Sequence, residues 1–143
     1  MLKSGGIQEG CGIEASDYRH LLNNENIQIL ADVHDRVGYP LLPVPITQAS
    51  RWAVRTRADG LILTGHSFEE SLKMITTVKQ SGINQPILIG GSVNENNIGE
   101  VLKIADGAIV RSALKKDKNA DQDLVRWDIG KTSRFMEKIN QQI

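Results

Sequence analysis

The segments Pro86-Ile-Leu-Ile-Gly-Gly-Ser92 and Ala105-Asp-Gly-Ala-Ile-Val-Arg-Ser112 decide the fold of this chain. Each is a short apolar run that ends in small or polar residues, which predicts a buried strand leading into a turn. In parallel α/β folds, ligands bind at the carboxyl ends of the strands. Two successive corners of this composition therefore predict a site where backbone amides bind a phosphate group.

Outward from these segments, short apolar runs alternate with stretches of helical period. The runs cover residues 27–34, 60–66, 86–92 and 107–112. This alternation predicts βα units and a parallel sheet, with a loop or short helix over 1–26, the βα units over 27–115 and a final helix over 128–143. In the first run, Ala31 and Val33 should face the helices, while Asp32 and His34 should face the opposite side.

The composition bounds the class of protein. The chain has 143 residues, of which 40% are apolar, and this length and composition predict a single globular domain. Lys plus Arg (17) equals Asp plus Glu (17), and no basic stripe alternates with aromatics, so we expect no nucleic-acid partner. No apolar run is long enough for a membrane span, and no signal-peptide pattern opens the chain, so we expect a cytoplasmic protein. We expect no cofactor and no resident metal.

The predicted phosphate ligands lie in the two corners. Glycines allow close backbone approach, a helix starting near Asn94 adds partial positive charge, and an arginine adds a charge-assisted contact. The residues are Gly90, Gly91, Ser92, Arg111 and Ser112. The alternative is that the two glycines only form a tight turn while Arg111 points to solvent. The lysine run 115–118 is either a solvated loop or a screen for phosphate charge.

A second polar group precedes these corners along the chain. Asp32 and His34 end the first run, and Thr64 and His66 end the second. A carboxylate beside imidazoles allows general acid–base catalysis, so Asp32, His34 and His66 are the candidate catalytic residues. The same residues could instead hold a metal, or simply satisfy one another near a sheet edge.

Taken together, these motifs resemble the BtpA/SgcQ family. The resemblance rests on the segments 29–34, 39–41, 58–65, 86–92 and 106–115, and it extends over nearly the whole chain. It implies a TIM barrel of the phosphate-binding type. It also implies a link to photosystem I biogenesis in phototrophs and to sugar-utilisation gene clusters elsewhere.

The resemblance covers only the second half of the family's length. The chain would then supply strands five to eight of the barrel, that is, a partial (β/α)8 barrel. The family has a longer loop where this chain runs from Gly65 directly to His66, and it has a lysine and a second histidine where residues 35–37 stand here. Four strands of a barrel would expose two edges, so we expect a homo-oligomer or a complementary N-terminal half-barrel chain as partner.

Two functions follow from this reading. The first is binding of a phosphorylated small molecule, a sugar or nucleoside phosphate, with acid–base catalysis by an aldolase, isomerase or hydrolase step; the retained Asp32 and His34 favour it. The second is a non-catalytic assembly or biogenesis factor, or an inactive truncated paralogue. The shortened loop after Gly65 favours the second.

Overall fold

The computed structural model of the protein describes residues 2–3, 6–7, 10–34, 38, 40–116 and 127–141. Over these residues the chain alternates strands and helices, as the sequence predicts. The elements, in order, are β1 (Leu2–Lys3), β2 (Gly6–Ile7), α1 (Gly12–Leu21), β3 (Leu30–Val33), α2 (Ile46–Arg55), β4 (Gly60–Leu63), α3 (Phe68–Gln80), β5 (Ile87–Gly90), α4 (Ile98–Ile104), β6 (Gly107–Ile109), the 3-10 turn η1 (Ser112–Leu114) and α5 (Ile129–Asn140).

Four of the strands form a parallel sheet in the order β3-β4-β5-β6. Leu30 pairs with Gly60, Leu61 with Ile87, and Leu88 with Gly107. The predicted mixed α/β class with a parallel sheet is therefore confirmed. The short strands β1 and β2 form a separate antiparallel pair.

The helices α2, α3 and α4 pack on one face of this sheet. That face carries Leu61, Leu63, Ile87 and Ile89, each with no exposed surface, and Ala31 and Val33 lie on the same side. Alternation along each strand directs the intervening residues to the other face. There, Leu30 is 45% exposed and Ile109 is 43% exposed. The predicted orientation of the first strand is therefore correct, and the described helices leave the second face of the sheet open.

The strands are shorter than the apolar runs that predict them. His34 and Ser92, which follow β3 and β5, both have φ of 60°, in the left-handed region. A residue with this backbone conformation cannot continue a pleated strand, so the strand ends before it. His34 therefore lies outside the strand and does not follow the strand alternation that would align it with Asp32.

Ser67 and Asp128 cap α3 and α5, whereas the helix start that the sequence predicts near Asn94 is wrong. The Ser67 hydroxyl accepts a hydrogen bond from the Glu70 amide at 3.1 Å, and the Asp128 carboxylate accepts one from the Lys131 amide at 2.9 Å. Asn94 does not cap α4, because its side-chain oxygen accepts from the Asn96 amide within a turn. The helix begins four residues later and has seven residues, so the helical partial charge expected at Asn94 is displaced from the corner.

An aspartate at the turn before β6 ties two neighbouring strands together. The Asp106 carboxylate accepts hydrogen bonds from the Ile87 amide and from Lys79 Nζ, both at 2.8 Å. The Asp106 amide in turn donates to the Ile87 carbonyl at 2.9 Å. Partial burial raises the pKa of Asp106, but the bonds from Lys79 and Ile87 outweigh it and hold the pKa below its usual value.

Asp59 forms the same arrangement at the turn before β4. Its carboxylate accepts a hydrogen bond from the Ile29 amide at 2.7 Å and pairs with Arg19, and its amide donates to the Ile29 carbonyl at 2.8 Å. The Ile29 amide, with a smaller contribution from Arg19, lowers the pKa of Asp59. The two aspartates therefore stabilise the start of the sheet, at the end opposite the strand-to-helix corners.

Candidate anion-binding site

The sheet brings the two predicted corners together. Gly90 pairs with Ile109, and the Gly91 amide donates to the Ile109 carbonyl at 3.4 Å. Arg111 and Ser112 follow directly, so the loop after β5 and the loop after β6 leave the same edge of the sheet side by side. Four of the five predicted phosphate ligands lie in these loops, and the fifth, Gly90, ends β5.

An asparagine that the sequence analysis missed shapes the loop after β5. Gly91 and Ser92 both have positive φ, 75° and 60°, which turns the chain sharply away from the sheet. Asn97 spans this turn, because its Nδ2 donates to the Ser92 carbonyl at 2.9 Å and its Oδ1 accepts from the Asn94 amide at 2.8 Å. Within the described part of the chain, the amides of Ser92 and Val93 have no hydrogen-bond acceptor. Of these two residues, Ser92 is exposed and Val93 is buried.

The two glycines of the corner have different roles. A Cβ atom at Gly90 would overlap the Thr64 hydroxyl of the neighbouring strand, so the missing side chain makes room for Thr64. Gly91 instead provides the left-handed conformation that starts the turn. In the structure the residues that follow β5, rather than Gly90, form the surface open to a ligand.

A cavity of about 420 Å³ adjoins the two loops. It lies between the loop after β5, the turn η1 and the first turns of α5. Its wall is held in place because the Asp128 amide donates to the Leu114 carbonyl at 2.9 Å, next to a bridge between Lys115 and Trp127. The lining residues are Asn94, Glu95, Asn96, Ser112, Ala113, Leu114, Lys115, Lys116, Lys131, Arg134 and Phe135.

The charge of this cavity is mainly positive. Of the lining side chains in the described part of the chain, four are basic and one, that of Glu95, is acidic. Arg134 Nε lies 3.4 Å from Glu95 Oε2, and Lys131 Nζ donates to the Lys115 carbonyl at 2.6 Å. Lys115 is 3% exposed. Among the described residues, basic side chains therefore outnumber acidic ones around a partly enclosed space, where electrostatic attraction is stronger than in water.

Lys131 and Arg134 were not among the predicted site residues. Their spacing of three residues, directly after the Asp128 cap, places both on one side of the first turns of α5, and this signal could have found them. Lys115 and Lys116 of the lysine run line the cavity, which fits the phosphate-screening alternative for these two residues. Residues 117–118 of the same run lie outside the described residues.

The three acid–base candidates occupy different heights of the sheet. Asp32 is exposed and pairs with Ile62, so it lies two residues below the level of Thr64. His66 is exposed, three residues beyond the end of β4. Asp32 lies in β3, His34 directly after β3 and His66 beyond the end of β4, and the rise along a strand separates the levels of Asp32 and His66 by several ångströms.

The two histidines have different surroundings. His34 is half-buried, and its Nε2 atom is buried with no hydrogen-bond partner in the described part of the chain. The His66 amide donates to Glu70 Oε2 at 2.7 Å, which fixes the backbone of the loop after β4. Among the described residues, no three His, Cys, Asp or Glu side chains cluster in a way that could hold a metal ion.

Comparisons with known proteins give a consistent result. The model of the BtpA family matches residues 1–141. The photosystem I biogenesis protein BtpA of Synechocystis is 32% identical over 143 residues, which cover 96% of this chain and 47% of that protein. An uncharacterized protein of Archaeoglobus fulgidus is 32% identical, over 85% of this chain and 48% of its own length. One of Methanocaldococcus jannaschii is 26% identical, over 94% and 50%.

This chain therefore spans about half the length of the curated relatives it matches. In the described part of the chain, no helix is both long and apolar enough to cross a bilayer.

Proposed function

The chain belongs to the BtpA family, and we propose that it binds a phosphorylated small molecule at the paired corners after β5 and β6. The phosphate group lies against the amides of Ser92 and Val93, with Arg111 and Ser112 approaching from the neighbouring loop. The remainder of the ligand, a sugar or a nucleoside, extends along the carboxyl edge of the sheet. Amide donors and an arginine together supply the hydrogen bonds and the charge that a phosphate needs.

The observation that carries this proposal is the basic cavity beside the corners. The segment after η1 and the helix α5 contribute four cations to a space of about 420 Å³, and one carboxylate of the described residues faces it. In the sequence the overall charge is balanced, so this local excess is a feature of the tertiary structure. The excess favours a ligand that carries negative charge.

Acid–base catalysis on the bound ester is the second part of the proposal. Asp32 lies near the end of β3, while His34 and His66 follow β3 and β4, and His34 is the proposed base because its buried Nε2 has no hydrogen-bond partner among the described residues. The different levels of Asp32 and His66 mean that a substrate would have to extend across two strands to reach both.

A phosphate titration tests the binding step. A ligand that binds the native state raises the melting temperature by mass action, so inorganic phosphate and glucose 6-phosphate should raise it, while glucose should not. The variant Arg111→Ala should weaken the response roughly tenfold, the loss of about one charge-assisted contact, and Arg134→Ala should weaken it less, because it removes only a positive charge from the neighbouring cavity. Lys103→Ala is the matched control, because Lys103 is an exposed cation of α4 that does not line the cavity.

The variants decide between three outcomes. An unchanged melting temperature at high phosphate concentration would contradict binding. An equal response from wild type, Arg111→Ala and Lys103→Ala would remove Arg111 from the site. A response that glucose reproduces would show that the anion is not what the protein recognises.

A second candidate function is that of a non-catalytic assembly factor. It is supported by the name of the Synechocystis relative, a photosystem I biogenesis protein, and by the separated levels of Asp32 and His66. On this reading the scaffold contacts a protein partner and the acid–base residues are structural. Absence of a phosphate response combined with retained stability in the variant Asp32→Asn would favour this candidate.

A further inference from the structure

The four-stranded sheet consists of two equivalent βαβ units. The first is β3-α2-β4 and the second is β5-α4-β6. In the first, Leu30 pairs with Gly60, and in the second, Leu88 pairs with Gly107. The aspartate before each glycine binds the backbone of the residue before each leucine, with the same pair of hydrogen bonds. The register and the aspartate contact therefore repeat from one unit to the next.

The equivalence extends to the carboxyl ends. His34 lies four residues after Leu30 and Ser92 lies four residues after Leu88, and both have φ of 60°. The two units thus share a left-handed residue just beyond the end of the first strand. They also share the register between the first and second strand. Histidine and serine are unlike residue types, so what repeats at His34 and Ser92 is the backbone conformation and not the sequence.

The repeat shows how one unit joins the next. Between the units, β4 pairs in parallel with β5, and Leu61, Ile62 and Leu63 lie opposite Ile87, Leu88 and Ile89. The strand β6 is the equivalent of β4 and β3 is the equivalent of β5. In the four-stranded sheet, these are the two strands at the edges. Because β4 pairs with β5, the edge strand β6 has the geometry to pair with a strand like β3, and β3 has the geometry to pair with a strand like β6.

We propose that a second copy of this chain pairs its β3 with β6, and its β6 with β3, so that two copies close an eight-stranded parallel barrel. Applying the β4–β5 register to this junction places Ile109 opposite Leu30 of the second copy. These are the exposed apolar residues of the open sheet face, 43% and 45% exposed. Closure covers both and removes both unpaired edges, which are otherwise sites of aggregation.

A twofold axis along the barrel makes the two junctions identical, and twofold dimers are the commonest symmetric assemblies. Asp32, on the open face, would then lie inside the closed barrel, as barrel strands alternate inward and outward.

Sedimentation equilibrium on the full chain tests the proposal. The wild type should have twice the mass of the 15.8 kDa chain, with a dissociation constant that concentration series can measure. Leu30→Lys and Ile109→Lys should each weaken the dimer by roughly tenfold or more, since each puts a charge in the apolar junction. Both side chains are exposed in the single chain, so a folded monomer tolerates the substitutions. Met136→Lys is the matched control, because Met136 is 48% exposed on α5 and outside the sheet.

A cross-link identifies the junction directly. Neighbouring strands are about 4.8 Å apart, within the range that a disulfide spans. In a Cys11→Ser background, oxidation of the double variant Leu30→Cys and Ile109→Cys should form an intermolecular disulfide. Each single variant should form less of this cross-linked species. A monomer at all concentrations, a dimer that survives both lysine substitutions, or a double variant whose thiols fail to join would overturn the proposal. Capture of the face by a complementary half-barrel chain in place of a second copy would overturn it as well.

Discussion

The Asp106 carboxylate accepts a hydrogen bond at 2.8 Å from the amide of Ile87, nineteen residues earlier in the chain. It joins the turn before β6 to the first residue of β5. Asp59 and Ile29 form the equivalent bond at 2.7 Å in the preceding unit. The amino ends of the strands, opposite the candidate site, are thus held by charged side chains rather than by packing alone.

Replacing Asp106 with alanine should destabilise the protein by about 1.5 to 3 kcal/mol, because the Ile87 amide loses a charged acceptor. Lys79→Ala should cost only about 0 to 1 kcal/mol, since it removes one ion pair between partners that are 37% and 42% exposed. Urea denaturation of both variants measures the difference. Equal losses would mean that the ion pair, rather than the backbone contact, stabilises this turn.

Acid should weaken the same contacts. The pKa values of Asp59 and Asp106 are lowered in the folded state from an ordinary value of 3.8. Their contribution to the free energy of unfolding is therefore complete only well above that value, at about pH 5 and higher. It is lost as the pH falls through the folded pKa values, with the decline starting at about pH 5. Urea denaturation at a series of pH values should show this decline.

The double variant Asp59→Asn and Asp106→Asn isolates these two groups. Asparagine keeps an acceptor oxygen but does not titrate, so the variant should have a shallower dependence of unfolding free energy on pH below about pH 5. Some slope should remain, because the Lys131 amide lowers the pKa of Asp128 in the same way. A variant with the wild-type slope would show that other carboxylates control acid stability.

Gly65→Ala should destabilise the loop that carries His66. A Cβ atom at this position would lie 2.8 Å from the Ser71 amide nitrogen and 2.9 Å from Glu70 Cβ, so the start of α3 would have to move. Such overpacking costs about 1 to 3 kcal/mol. Gly10→Ala is the control, because nothing lies within 4 Å of a Cβ there. Thermal unfolding of the two variants gives the comparison, and equal melting temperatures would contradict the close contact.

Asn97 should act on phosphate binding through the loop after β5. Asn97→Ala removes both side-chain bonds that hold Ser92 and Asn94, and we expect roughly five- to tenfold weaker phosphate binding with a small change in melting temperature. Asn97→Asp keeps an acceptor for the Asn94 amide and loses only the bond to the Ser92 carbonyl. Isothermal titration with inorganic phosphate should place it between wild type and Asn97→Ala. Binding that is unchanged in Asn97→Ala would exclude this positioning role.

Several parts of the fold could be predicted from local pattern. The strand and helix alternation follows from hydrophobic period, and the caps at Ser67 and Asp128 follow from residue type at a helix start. The displaced start of α4 could not be predicted, because Asn94 uses its side chain within a turn that left-handed residues at Gly91 and Ser92 create. Backbone conformation of this kind is set by the surrounding contacts, and Ser92 has no residue type that signals it.

Parts of the candidate site could likewise be predicted from local pattern, and other parts could not. The sequence alone determined that small and polar residues follow each apolar strand, since strand period and turn chemistry are encoded within a few residues. Helix packing, in contrast, brings Lys131 and Arg134 of α5 to Lys115 and the loop after β5 around one cavity. The folded loop also leaves the amides of Ser92 and Val93 without an acceptor among the described residues. Such contacts join residues far apart in the chain, and they depend on strand register and helix packing, which no local pattern contains.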